Sequence, residues 1–187
     1  MLVLNVGGGA GRDLPEIYSG WEQELLDIDP GVNPDIVCDA RDMLRLERRY
    51  DSVYSSHCLE HFYIHEIPAV LAGFRHVLKP SGFVYSLVPD MTAVFRALQD
   101  RDIGDVWYVS NAGPITFHDV IYGFGKQVEI GNLYYCHKTG FTEKSMAKAF
   151  GDAGFPAVLT SVDGANLHVF AFPGIPSEDR LKSLGVA

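Results

Sequence analysis

Apolar positions divide this chain into short runs separated by turn residues, in the rhythm of alternating strand and helix. Leu2-Val3-Leu4-Asn5-Val6 is a first buried strand, followed at once by Gly7-Gly8-Gly9-Ala10-Gly11. Residues 12–20 contain Pro15 and leave room for a short helix at most. Residues 24–28 read as a second strand, ended by Asp29-Pro30-Gly31. Residues 34–38 form a brief third and residues 51–55 a fourth. Ile67, Val70, Leu71, Phe74, Val77 and Leu78 recur at helical spacing with Pro68 in the first turn, and Lys79-Pro80-Ser81-Gly82 stops that helix. Residues 83–88 are almost continuously apolar, as in a strand covered on both faces.

From residue 91 to 141 the pattern dissolves. Residues 91–99 fit a helix; the rest mixes Gly, Asn, aromatics and histidines without a period. Trp107, Phe117, Tyr122, Phe124, Tyr134 and Tyr135 argue for an ordered insertion rather than a disordered one. Order returns at Thr142, an N-cap before the helical face of Met146, Ala149, Phe150 and Ala153, which Gly154 ends. Residues 157–162 and 166–172 read as an antiparallel hairpin turning at Asp163-Gly164. The expected architecture is one α/β domain over residues 1–172, an open twisted sheet that is mostly parallel with a C-terminal antiparallel hairpin and helices on both faces. Residues 173–187 form a polar tail with a short helix over 178–184.

Composition narrows the partners. The chain has 187 residues, enough to bury roughly 70% of the surface its unfolded form exposes. A net charge of −9 opposes polyphosphate, and the basic stretch from Arg41 to Arg49 is interleaved with Asp42 and Glu47, so no nucleic-acid partner is expected. Cys38, Cys58 and Cys136 are odd in number and widely spaced, which suggests a reducing compartment and no structural metal. With no signal peptide and no run near ~20 apolar residues, a cytoplasmic protein without a membrane partner is expected.

The candidate chemistry begins at the glycine loop. Twenty residues after Gly7, Asp27 closes the second apolar segment. Glycines after one strand let a ligand lie against the backbone, and a carboxylate after the next accepts ribose hydroxyls; together they make a nucleoside-cofactor site. A dinucleotide fingerprint needs a third glycine where Arg12 stands. The spacing Gly7, Gly9, Gly11 instead resembles motif I of class I S-adenosylmethionine (SAM) methyltransferases. The chain is most similar to the small methyltransferases of the type 11 group, on three segments: Leu4-Asn5-Val6-Gly7 with Gly20-Trp21 and Leu26-Asp27-Ile28-Asp29-Pro30; Tyr54-Ser55-Ser56-His57-Cys58-Leu59-Glu60-His61; and Leu78-Lys79-Pro80-Ser81-Gly82. Leu59-Glu60-His61 after the fourth strand is the most specific of these.

That resemblance implies a Rossmann-like fold and SAM as cofactor. Gly7, Gly8, Gly9 and Gly11 would cradle its methionine half, with Asn5 where motif I usually carries an acid. Asp27 would take the ribose hydroxyls, Ile28 would pack on adenine, Asp39 would accept the exocyclic amine, and the Ala40 backbone would meet the ring. Ser56 and His57 would sit beside the sulfonium. The chain starts at its first strand and its first crossover is short, so a pocket more open than usual, or closed by residues 91–141 or by a partner chain, is expected.

His57 is the candidate catalytic base. His118, Asp119 and His137 in the insertion are further candidates for a base, although capping and hydrogen bonding within an irregular lid is the preferred reading of each. His57, His61 and His65 at steps of four do not make a metal site, because the third lies two turns from the first. The [DN]-P-P-[YFW] signature of amide and adenine N-methylation is missing where Ser55-Ser56-His57 stands, which points to a small-molecule acceptor such as a sugar or other metabolite. The alternatives are a non-catalytic SAM-binding module or partner subunit and, further off, a nicotinamide-dependent oxidoreductase.

Overall fold

The computed structural model describes residues 1–110 and 112–186. Its centre is a seven-stranded sheet built from β1 (Leu2–Val6), β2 (Glu22–Asp27), β3 (Ile36–Val37), β4 (Tyr50–Ser56), β5 (Leu78–Pro89), β8 (Ala157–Asp163) and β9 (Asn166–Phe172), in the order β3-β2-β1-β4-β5-β9-β8. β1 pairs in parallel with β2 and β4, β2 with β3 and β4 with β5, whereas β9 runs antiparallel to both β5 and β8. The order reverses between β1 and β4, so a crevice opens at their carboxyl ends. Gly7 and His57 stand directly above it.

Alternation along each strand divides the core. Leu4, Val6, Val53, Val84, Val88, Val169 and Ala171 face α1 (Ile67–Val77), α5 (Glu143–Asp152) and a 3-10 turn at Ala40–Arg45. Val3, Tyr54, Phe83, Tyr85, Phe170 and Phe172 face the other way and form an aromatic layer. Tyr18 seals this second layer: it stacks on Phe83 at 6.1 Å, and its hydroxyl lies 2.8 Å from Ser52 Oγ, which donates to Phe83 O. Burial pushes the Tyr18 hydroxyl far above its usual range, so it remains a neutral partner.

Three elements differ from the sequence expectation. β5 begins at Leu78 rather than at residue 83, because residues 79–82 bulge out between the Tyr50–Leu78 and Ser52–Phe83 pairs. Asp51 holds this bulge, accepting from Leu2 N at 2.8 Å and from Lys79 Nζ at 2.9 Å. The insertion is not irregular. It contains α2 (Met91–Ala97), a hairpin of β6 (Val106–Ser110) and β7 (Gly113–Thr116), α3 (Phe117–Tyr122), α4 (Gly125–Glu129) and a 3-10 turn at Leu133–Tyr135. Val94, Phe117 and Val120 give it a small core of its own, with Trp107 stacked on Phe117 at 5.1 Å. The tail, finally, is structural: α6 (Glu178–Ser183) lays Leu181 and Leu184 against the aromatic layer. Among the described residues, no helix is long and apolar enough to cross a membrane.

Candidate active site

The glycine loop is shaped by what lies under it. Gly7 has φ +71°, and a Cβ there would come within 2.5 Å of the buried Cys58 Sγ. Burial pushes the Cys58 thiol up to about 12, so the sulfur is a packing group. Gly8 covers the fully buried Asn5, and a Cβ on it would meet Asn5 Nδ2 at 2.4 Å. Both polar atoms of that amide lack a hydrogen-bond partner.

Asp27 ties the loop to the end of β2. Its Oδ2 accepts from Gly9 N at 3.2 Å and its Oδ1 from Asp29 N at 3.0 Å. Gly7, Gly9, Asp27, Ile28, Asp39, Ala40 and His57 all line one cavity of about 260 Å³. Asn5, Gly8, Gly11 and Ser56 are not among its lining residues: Asn5 and Gly8 support the loop from beneath, and Ser56 pairs with Leu87 in the sheet. Gly11 lies against the Asp13 carboxylate, which a Cβ would approach to 3.1 Å.

Asp39 is at the wall of the cavity and also caps the turn that follows. It accepts from Arg41 N at 2.9 Å and, through both carboxylate oxygens, from Arg41 Nε at 3.0 and 3.1 Å. The Arg41 hydrogen bond holds its carboxyl below the usual range against the upward pull of burial. Arg41 also pairs with Glu66, so this end of the cavity is rimmed by a carboxylate–guanidinium–carboxylate chain. Sequence reasoning missed Arg41, Phe62, Tyr63 and Lys138, which line the same cavity; they lie outside the motif segments and arrive only through the fold.

His57 is the hinge of the site. It has φ +50°, its N–H donates to Leu87 O at 2.9 Å, and its side chain is 44% exposed. Its Nδ1 lies 3.2 Å from Oε1 of Glu60, which is 1% exposed. Burial would lower the imidazole's pKa, but the bond and charge of Glu60 outweigh it and raise the group above its ordinary value. Two further cavities meet at His57. One is an open cleft bounded by Asp90, Trp107, Tyr108 and Asn166; the other, of about 210 Å³, lies between His61, Val120, Tyr135 and His137.

The other insertion candidates separate in the structure. Asp119 is consumed as a cap, accepting from Thr116 N at 2.9 Å, Thr116 Oγ1 at 2.6 Å and Gly125 N at 2.9 Å. His118 is exposed beside Tyr122 and lines none of these three cavities. His137 reaches the site because Lys138 N and Thr139 N donate to Glu60 O at 2.8 and 3.2 Å, which lays the end of the insertion across Leu59-Glu60-His61. His65 stays apart, stacked on Tyr63 at 5.7 Å.

A sheet reversing between β1 and β4, a glycine loop above the reversal, an acid at the tip of β2 and an antiparallel β8–β9 end define the class I methyltransferase fold. The chain belongs to the Methyltransferase domain family, whose pattern matches residues 1–160. Among solved structures, the PH0226 protein from Pyrococcus horikoshii OT3 superposes with a TM-score of 0.60 at 17% identity, over 92% of this chain and 82% of that one. Human N-acetylserotonin methyltransferase in complex with SAM gives a TM-score of 0.58 at 15% identity, over 93% of this chain and 48% of that one. An O-methyltransferase family protein from Burkholderia thailandensis gives 0.57 at 16% identity, over 91% of this chain, which spans 50% of that protein's length. No curated protein matches the sequence.

Proposed function

We propose that this chain transfers the methyl group of SAM to a small-molecule acceptor held between the sheet and the insertion. Family membership implies SAM as the donor. The cavity suits it: a Cβ at Gly9 would meet nothing within 4 Å, so the bare backbone faces open space, and Val6, Leu26, Ile28 and Phe62 supply apolar walls beyond the Asp27 carboxylate. Gly7 and Gly9 would hold the methionine half, Asp27 the ribose hydroxyls, Ile28 the adenine face, and Asp39 with Ala40 the adenine edge. When bound, SAM supplies an electrophilic methyl on a sulfonium.

The observation that carries the reading is the position of His57. Of the described residues, it alone lines all three cavities, so it stands where a donor from one side and an acceptor from the other would meet. The chain's contribution is alignment and exclusion of water, and alignment alone can supply about 7–11 kcal/mol. His57, polarised by Glu60, would accept the acceptor's proton and pass it to solvent from its exposed edge.

Asp27→Ala tests the donor assignment by calorimetry. Loss of charge-assisted hydrogen bonds worth about 1.5–3 kcal/mol should weaken SAM about ten- to a hundredfold. Equal affinity in a folded variant would overturn it. Transfer of radiolabel from methyl-labelled SAM to a panel of small alcohols and amines tests turnover; tight binding without turnover on any of them would favour a non-catalytic SAM-binding module.

A further inference from the structure

Glu60, His61 and His137 each bring one ligand-type atom within 4.8 Å of the others, at the seam between the 3-10 turn Leu59–His61 and the returning end of the insertion. Their partners fix what they offer. His61 Nδ1 lies 3.0 Å from Cys136 O and His137 Nδ1 lies 2.9 Å from Val120 O. A carbonyl only accepts, so each Nδ1 carries a proton, and Nε2 is the ring atom that offers a lone pair to a metal. Backbone carbonyls orient metal-ligating imidazoles in the same way. The rings meet edge to face with centroids 4.8 Å apart.

The carboxylate is the unbalanced member. Glu60 is buried, its Oε1 is engaged by His57, and its Oε2 has no partner. A buried carboxylate oxygen without a hydrogen-bond partner, beside two imidazoles held at Nδ1 by carbonyls, is a donor set suited to a cation. This set is not the His57, His61, His65 series that sequence spacing rules out; His137 arrives from the insertion.

We propose that Glu60, His61 and His137 bind one divalent cation of the borderline class (Zn2+, Mn2+, Fe2+ or Co2+) whose open positions hold a hydroxyl oxygen of the methyl acceptor. Two nitrogens and one carboxylate suit these ions, whereas Mg2+ and Ca2+ prefer sets made wholly of oxygen. Metal–ligand bonds of about 2.0–2.2 Å require the three atoms to draw together by roughly 1–1.5 Å, within reach of side-chain rotation. Three protein ligands leave positions facing the 210 Å³ cavity, which shares His57, His61 and Tyr135 with the cofactor cavity. In the transfer the hydroxyl proton passes to His57 and from it to solvent, the oxygen forms the new O–CH3 bond, and the C–S bond breaks with its electron pair passing to sulfur. The acceptor role rests on the methyltransferase reading; the cation site does not.

The test uses the full chain stripped with chelator and without SAM. Calorimetry with Zn2+ and Mn2+, and the visible absorption of added Co2+, should report one saturable site. Glu60→Gln and His137→Ala should each weaken it at least tenfold. His137→Ala, at a half-buried position remote from the glycine loop, should keep its affinity for S-adenosylhomocysteine, which separates failure of this site from failure of the donor site. Acetohydroxamate, a small oxygen chelator, should shift the Co2+ band by entering the open positions. No saturable binding to wild type, or equal binding by His137→Ala, overturns the cation site; an unmoved Co2+ band overturns the acceptor role.

Discussion

Asn5 and Gly8 show how tightly the loop is specified at the level of single atoms. The amide is fully buried without partners, and the glycine above it leaves no room for a Cβ. Gly8→Ala should therefore cost about 1–3 kcal/mol in thermal unfolding, and adding Asn5→Ala should recover part of that loss by removing the obstructing atoms. If Gly8→Ala melts with wild type, the loop is not packed as described. The place of Asp27 beside the glycine loop was legible beforehand because it follows from the distance between them along the chain. The reason for Gly8 was not, since it depends on which face of β1 Asn5 occupies. Asp39 was legible as a position, but its double bond to Arg41 was hidden, because an acid only two residues from an arginine meets it only when the chain turns as a 3-10 cap.

At the scale of elements, the insertion depends on the capping box that joins Thr116 to Asp119 at the start of α3. Burial would raise the Asp119 carboxyl, but bonds from Thr116 and Gly125 outweigh it and lower it. The folded value thus lies below the unfolded one. Its stabilisation is complete above the ordinary aspartate value near pH 4 and is lost as pH falls through the lower folded value. Fluorescence of Trp107, read in a Trp21→Phe background, should report that acid transition, and Asp119→Asn should abolish its pH dependence while lowering stability at pH 7. A transition unchanged in Asp119→Asn would assign it elsewhere. The insertion was illegible in the sequence for a physical reason: its elements are three to seven residues long and are held by aromatic stacking and caps, so no period accumulates. α1 and α5 were legible because each presents a sustained apolar face to the sheet.

The whole molecule is asymmetric across its sheet. One face carries α1 and α5; the aromatic face is closed by the short turn around Tyr18 and by α6. Sequence patterning read the tail as polar because only Leu181, Leu184 and Val186 turn inward from it, and three residues carry little signal. Leu181→Ala should lower stability by about 2 kcal/mol without changing SAM affinity, measured by denaturant unfolding and calorimetry on the same protein. A stability loss below experimental error would remove α6 from the fold's support. The mostly parallel order itself was legible, since glycine loop, acid and hairpin each occupy a fixed place in the βα rhythm.

Calorimetric titration of the wild-type chain with S-adenosylhomocysteine reaches the central claim most directly, because it needs no knowledge of the acceptor. We expect one-to-one saturable binding, a raised melting temperature, and both effects sharply reduced in Asp27→Ala. No heat of binding and an unmoved melting temperature at saturating ligand would contradict the assignment of the β1–β4 crevice as an adenosyl-donor site.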